Sequence, residues 1–177
     1  KSVVVIEKGE PKSCNIVTSC EGKGKTFIMF SDDLDKALAT FVLANGAAAT
    51  GQKVTIFFTF WGLNVIKKLH KPNVEKDIFG KMFGMMLPSS SRKLKLSKMS
   101  MGGIGGKMMR YIMNRKGIDS LESLRQQALE NGVEFIACQM SMDVMGVKQE
   151  ELLDEVTIGG VATYMERADN ANINLFI

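Results

Sequence analysis

The most reactive side chains in this 177-residue sequence are three thiols, Cys14, Cys20 and Cys138. An odd number of cysteines argues against a disulfide framework, and unpaired thiols are typical of a reducing, cytoplasmic compartment. The single histidine, His70, excludes a histidine-rich metal site, and no metal site is predicted. These residue types favour nucleophilic attack by a thiolate.

Cys138 is the strongest candidate for this chemistry. It ends the apolar run Glu134-Phe-Ile-Ala-Cys138, which predicts a buried strand. Because ligands gather beyond the carboxyl ends of parallel strands, we expect its sulfur to face a cleft there. We predict a turn over residues 139–146, whose backbone N–H groups would favour the thiolate form. The alternative is a structural role, since free cysteines are often buried as small hydrophobic residues.

Other polar, aromatic and glycine residues are expected near Cys138 because they also follow predicted strands or helix starts. A general base for a hydrolase is not evident among them, and Asp32 and Asp33 are interpreted as helix caps. The predicted neighbours are Ser31, Asp32, Trp61, Gly62, Gln139, Ser141, Asp143, Gly159 and Gly160.

The elements that would position these residues follow an α/β rhythm. A buried strand, an amphipathic helix and a second buried strand between residues 25 and 60 predict a βαβ unit, hence parallel strands. We therefore predict an open, mostly parallel sheet of about five strands with helices on both faces. The predicted strands are 26–30, 53–60, 134–138, 156–158 and 173–177, and the predicted helices are 34–50, 62–70, 107–114, 120–131, 147–154 and 160–168.

The chain divides into a lead-in and one domain. Residues 1–24 comprise a short strand candidate, Val3–Ile6, and a polar linker that contains Cys14 and Cys20. Residues 25–177 form the α/β domain. No apolar run approaches the roughly 18 residues of a membrane span.

A basic, methionine-rich insert interrupts the domain at about residues 76–116. It contains ten Lys or Arg and one acid, together with eight of the 13 methionines. We expect this insert to contact a membrane surface or a protein partner, whereas no nucleic-acid partner is expected. Its Gly102–Lys107 stretch departs from a phosphate-binding loop, because Met101 and Met108 stand where Gly and a hydroxyl residue are required.

Several stretches resemble the DsrE/DsrF/DsrH-like family, in particular its methionine-rich branch. The most specific is Ala-Cys-Gln-Met-Ser-Met-Asp-Val-Met-Gly at 137–146; the others are Asp32–Ala37, Asn45–Ala49 and Gly159–Tyr164. The resemblance covers about residues 25–177. Residues 1–8 also look like the last strand of a TusA-like carrier domain, which would make Cys14 and Cys20 linker thiols that either relay sulfur or are incidental.

The resemblance implies flavodoxin-like α/β layers, homo-oligomers and a persulfide carried on a cysteine, which Cys138 matches. The expected function is a sulfur carrier or transferase that exchanges sulfur with donor and acceptor proteins and needs no organic cofactor. The alternative is a non-enzymatic adaptor whose basic insert binds a membrane surface or partner while Cys138 is structural. A flavin or nucleotide site is a third idea, based on fold analogy alone.

Overall fold

The computed structural model describes residues 24–69, 88, 90–98 and 103–177. These residues form five strands, five α-helices and three short 3-10 helices. The strands are β1 (Gly24–Met29), β2 (Val54–Phe58), β3 (Glu134–Cys138), β4 (Thr157–Gly159) and β5 (Ala171–Phe176). The α-helices are α1 (Leu34–Ala49), α2 (Ile104–Arg115), α3 (Leu121–Glu130), α4 (Gln139–Met145) and α5 (Val161–Asp169), and the 3-10 helices are Phe60–Ile66, Ser91–Lys93 and Gln149–Glu151.

The five strands form one sheet in the order β4-β3-β2-β1-β5, and every neighbouring pair is parallel. The predicted open parallel sheet is therefore confirmed. β2 is the central strand and all five of its residues are buried. β4 and β5 are the two edges, and β3, which carries Cys138, is an inner strand.

Helices cover both faces of the sheet, as predicted, but unequally. Side chains alternate along each strand, so Phe135 and Ala137 lie on the face of α1 and α3, while Ile136 and Cys138 lie on the face of α5. The first face belongs to a cluster of 23 buried hydrophobic residues in the described part of the chain. The second has four: Phe57, Ile136, Cys138 and Tyr164.

The helix prediction was wrong at one place. Residues 139–146, predicted as a turn, contain α4, whereas the helix predicted at 147–154 is only the 3-10 turn Gln149–Glu151. α4 forms because Met142 and Met145, three residues apart, both enter the core, and Gly146 ends it with a φ of 62°. Tertiary burial thus selects the helix where the short sequence window did not.

Two elements around the insert also differ from the prediction, the first in helix type and extent and the second in extent alone. The helix predicted at 62–70 is the 3-10 helix Phe60–Ile66, and the helix predicted at 107–114 is α2, which begins earlier, at Ile104. The lead-in at 1–23, with Cys14 and Cys20, lies outside the described residues, as do His70 and much of the insert.

Candidate functional site

Cys138 is the last residue of β3, where its backbone pairs in register with Gly159 of β4. It therefore lies at the carboxyl edge of an inner strand, as expected. It is the only cysteine in the described residues, and it is a free thiol. Gly159 is needed beside it because a Cβ there would lie 2.9 Å from Ile136 Cγ2 and 3.4 Å from Thr163 Cβ.

The expectation that the Cys138 sulfur faces a cleft was wrong, because the residue is only 1% exposed. It packs with Phe57, Ile136 and Tyr164. The reason is strand alternation: Cys138 shares the face of Ile136, two residues earlier, and α5 covers that face. The thiol is thus enclosed by apolar side chains and one phenol ring.

Tyr164 is the one buried residue of α5, and it belongs to the same buried cluster as Cys138. Its ring lies 5.1 Å from that of Phe57, between centroids. Its hydroxyl lies 3.3 Å from Thr26 Oγ1, and Thr26 in turn donates to Asn174 Oδ1 of β5. Thus one tyrosine ties α5 to β2, to β1 and, through Thr26, to the edge strand β5.

Among the predicted neighbours that follow Cys138 on α4, Ser141 is buried, whereas Gln139 and Asp143 are exposed. Ser141 is buried and its hydroxyl lies 2.8 Å from Thr59 Oγ1, which joins α4 to the end of β2. Gln139 Nε2 donates to Asp143 Oδ1 over 3.1 Å on the exposed side of α4. The Cys138 side chain makes no capping hydrogen bond to α4. Of the predicted neighbours, Gly160 is the exposed N-cap of α5.

Three other predicted neighbours come together elsewhere on the same edge. Ser31, Asp32 and Trp61 line a cavity of about 340 Å³, together with Phe30 and Lys36. This cavity lies after β1 and β2, and Cys138 is not among its lining residues. The residues that were predicted to form one site therefore lie in two separate places on this edge of the sheet.

Glycine is required at position 62 for this cavity wall to form. A Cβ there would lie 1.9 Å from the Met29 carbonyl oxygen. The Gly62 N–H donates to Phe30 O over 2.8 Å. The 3-10 helix that carries Trp61 can therefore lie directly against the end of β1.

Asp32 is the acid that lines this cavity. Burial raises the pKa of its carboxyl, while a hydrogen bond donated by Asn64 Nδ2 over 3.0 Å opposes that rise. Asn64 is fully buried, and its Oδ1 has no hydrogen-bond partner in the described structure. The sequence reasoning missed Asn64, which has no signal beyond its place in an apolar stretch.

An aromatic cluster at this edge was also missed. The ring centroid of Phe30 lies 5.5 Å from that of Phe60, 5.4 Å from that of Trp61 and 5.7 Å from that of Phe176. Phe60 has a φ of 47°, a conformation that bulky residues rarely adopt and that marks local backbone strain. The clustered Phe and Trp residues after β1 and β2 were the available signal.

The described ranges contain no group of three or more His, Cys, Asp or Glu that could hold a metal ion. None of the helices described here is long and apolar enough to cross a membrane.

The fold and these residues define a class of protein. Residues 22–176 match the model of the DsrE/DsrF/DrsH-like family, and the chain belongs to that family.

Two relatives and one solved structure are similar to this chain. It is 44% identical over 155 residues to the uncharacterized protein YrkE of Bacillus subtilis (strain 168), covering 88% of this chain and 97% of the relative. It is 38% identical over 161 residues to the sulfur carrier protein DsrE2 of Allochromatium vinosum, covering 89% and 99%. The crystal structure of the ychN protein from E. coli has a TM-score of 0.52 and 11% identity over 87% of this chain and 99% of that one, which supports the fold alone.

Proposed function

We propose that this protein is a cytoplasmic sulfur carrier that holds sulfur as a persulfide on Cys138 and passes it to a protein partner. The observation that carries the proposal is a thiol at the carboxyl end of an inner parallel strand, within the family's most specific sequence stretch. A relative with 38% identity over nearly its whole length is named a sulfur carrier. No organic cofactor is required for this chemistry.

The transfer consists of two exchanges at sulfur. The Cys138 thiolate attacks the outer sulfur of a donor persulfide, the donor S–S bond breaks, and the donor leaves as a thiolate. An acceptor thiolate then attacks the outer sulfur on Cys138, which releases the Cys138 thiolate and forms the acceptor persulfide. One S–S bond forms and one breaks in each step, so no external oxidant or reductant is needed.

The burial of Cys138 requires a movement before either exchange. We propose that α5 lifts from the sheet, because it contributes one buried residue, Tyr164, to a cluster of only four. An element with so few buried contacts opens at a lower free energy than the core. A closed cover would also protect a persulfide from bulk reductant between transfers. Cys14 and Cys20 would receive sulfur only second-hand.

Intact mass after incubation with polysulfide tests the carrier role. We expect the wild type to gain about 32 Da, one sulfur atom as a persulfide, and to lose it on reduction. Peptide mapping should place that sulfur on Cys138. Cys138→Ser should abolish loading, whereas the matched variants Cys14→Ser and Cys20→Ser should keep it. Loading that survives in Cys138→Ser would reject Cys138 as the carrier.

A second candidate function, a membrane adaptor, is favoured by α2. Four large apolar residues on one stripe of this helix are exposed: Ile104, Met108, Tyr111 and Ile112. Residues 90–98 and 103–116 carry eight Lys or Arg and no Asp or Glu. A basic helix with an exposed apolar stripe suits an anionic membrane surface.

Vesicle sedimentation separates this function from sulfur transfer. We expect the protein to sediment with vesicles that contain anionic lipid and not with purely zwitterionic ones. Ile112→Glu should weaken that binding, while Val144→Glu on α4, also exposed, should not. Equal binding to both vesicle types, or none, would reject the adaptor role, and Cys138→Ser should leave the result unchanged.

A further inference from the structure

The cavity at the carboxyl ends of β1 and β2 plays no part in the sulfur transfer proposed above, because Cys138 does not line it. It has a volume of about 340 Å³, and its wall combines two aromatic rings, two charged groups and one hydroxyl: Phe30, Ser31, Asp32, Lys36 and Trp61. Aromatic walls with a few polar groups are typical of small-molecule sites. The size and composition of this cavity therefore suit a small ligand.

The charged groups at this cavity leave one carboxylate without a cation. Lys36 Nζ lies 2.9 Å from Asp33 Oδ2, so the Lys36 ammonium already has an acidic partner. Within the described residues, no ion pair joins Asp32 to a Lys or Arg. Lys67 lowers the pKa of the Asp32 carboxyl, but it is the weakest of the influences on that group. The cavity wall therefore favours a positively charged ligand over an anion.

The Asp32 carboxylate is held in place and is partly withdrawn from water. Asn64 Nδ2 donates to Asp32 Oδ2 over 3.0 Å, and Asn64 is fully buried, so this hydrogen bond fixes the orientation of the carboxylate. Burial raises the pKa of the Asp32 carboxyl, and a cation beside it would stabilise the ionised form. The Oδ1 atom of the same Asn64 amide is buried without a hydrogen-bond partner in the described structure, which is rare for a buried acceptor.

Aromatic rings form the rest of the cavity wall. The ring centroid of Phe30 lies 5.4 Å from that of Trp61, and Trp61 is 46% exposed, so its ring is accessible to a ligand. The faces of such rings attract cations and also cover apolar groups. Phe60, the residue before Trp61, has the strained φ of 47°. Backbone strain of this kind is concentrated at ligand-binding and catalytic positions.

We propose that this cavity binds a small organic ammonium ion, with Asp32 as its counter-ion and the rings of Phe30 and Trp61 against its carbon atoms. The ammonium N–H groups donate charge-assisted hydrogen bonds to the Asp32 carboxylate. The rings add attraction to the charge and remove the apolar part of the ligand from water. A hard metal cation fits less well, because Mg²⁺ and Ca²⁺ take about six or more oxygen ligands and Asp32 is the one carboxylate that lines the cavity.

Fluorescence titration tests the proposal directly, because Trp61 is the only tryptophan in the chain and lines the cavity. The probes are hexylamine, hexanol and hexanoate, which have similar alkyl chains and differ in charge at pH 7. Hexylammonium should change the Trp61 emission saturably, hexanol should bind at least about tenfold more weakly, and hexanoate should give no saturable change. Cys138→Ser should respond like the wild type, which separates this result from sulfur loading. No saturable response to hexylammonium, or equal affinity for hexanol, would overturn the proposal.

Two substitutions at the cavity test the role of charge in opposite directions. Asp32→Asn keeps the shape of the side chain but removes its charge, so hexylammonium should bind at least about tenfold more weakly. Lys36→Met removes the like charge from an exposed position, so hexylammonium should bind at least as tightly as to the wild type. Asp169→Asn, which removes an exposed acid from α5, is the matched control and should leave the affinity unchanged. Unchanged affinity in Asp32→Asn, or weaker binding in Lys36→Met, would overturn the proposal, and the second outcome does not depend on how Asp32→Asn folds.

Discussion

The two faces of the sheet differ in how many hydrophobic residues they bury. The face of α1 and α3 belongs to a cluster of 23 buried hydrophobic residues, with Phe41, Phe58 and Phe135 at its centre. The face of α5 has four buried residues in the described structure. Cys138 lies on this thinner face. A reactive residue can be covered and uncovered there without opening the main core, because the two clusters are separated by the sheet.

The largest effect is expected on the face of α1 and α3, from Phe135→Ala. Phe135 is 1% exposed, with ring centroids 5.8 Å from Phe41 and 5.4 Å from Phe58. Removing such a ring leaves a cavity and should lower the free energy of unfolding by about 3–5 kcal/mol. Urea denaturation followed by circular dichroism measures this loss. Val144→Ala, an exposed position, is the control, and a loss below about 1 kcal/mol for Phe135→Ala would contradict the assignment of the main core.

Tyr164→Ala should change the free energy of unfolding less than Phe135→Ala does. It should, however, make the Cys138 thiol more accessible to reagents. Losing the one buried side chain of α5 should favour its local opening. Each 1.4 kcal/mol removed from the opening free energy raises the open population about tenfold, so alkylation of Cys138 should accelerate by at least that factor. The rate is followed on the Cys138 peptide by mass spectrometry.

Tyr164→Phe is the matched control for this experiment. It keeps the ring that packs against Phe57, in the same buried cluster as Cys138, and removes only the hydroxyl that lies 3.3 Å from Thr26 Oγ1. Its alkylation rate should stay close to that of the wild type. If Tyr164→Ala also leaves the rate unchanged, reagents reach Cys138 from the α4 side, and α5 is not the cover that moves.

Strand positions were predictable from sequence because burial on both faces leaves continuous apolar runs. Val54–Phe58 is an example: all five residues are buried and the run is almost wholly apolar. α4 was not predictable in this way. Its residues show no long helical stripe, and its formation depends on Met142 and Met145 entering a core built by distant elements.

The candidate site was predictable in position but not in exposure. Cys138 was expected at a carboxyl strand end and lies there. Alternation from Ile136 fixes its face, yet which helix covers that face depends on the crossover connections, and these are tertiary. Likewise, the carboxyl ends of all the strands share one edge of the sheet. The cavity of Asp32 and Trp61 lies at the ends of β1 and β2, however, whereas Cys138 ends β3 and does not line that cavity.

The smallest expected effect concerns the ion pair that anchors α5 to β3 at the end remote from the thiol. Arg167 Nε lies 2.9 Å from Glu134 Oε2, with both side chains more than a third exposed. The hydrogen bond from Arg167 holds the pKa of the Glu134 carboxyl below its ordinary value, although partial burial opposes this. Because both groups are solvated, Arg167→Ala should cost only about 0.2–1 kcal/mol at pH 7.

The contribution of this ion pair to stability should depend on pH. A carboxyl whose pKa is lower in the folded state adds stability above its unfolded pKa, and that stability is lost as pH falls through the folded value. The difference in the free energy of unfolding between wild type and Arg167→Ala should therefore be largest at pH 7 and should disappear below about pH 4. Urea titrations at both pH values measure this difference, with Asp169→Ala, an exposed position on the same helix, as the control. A gap that persists at low pH would mean that Arg167 anchors α5 through packing of its side chain and not through Glu134.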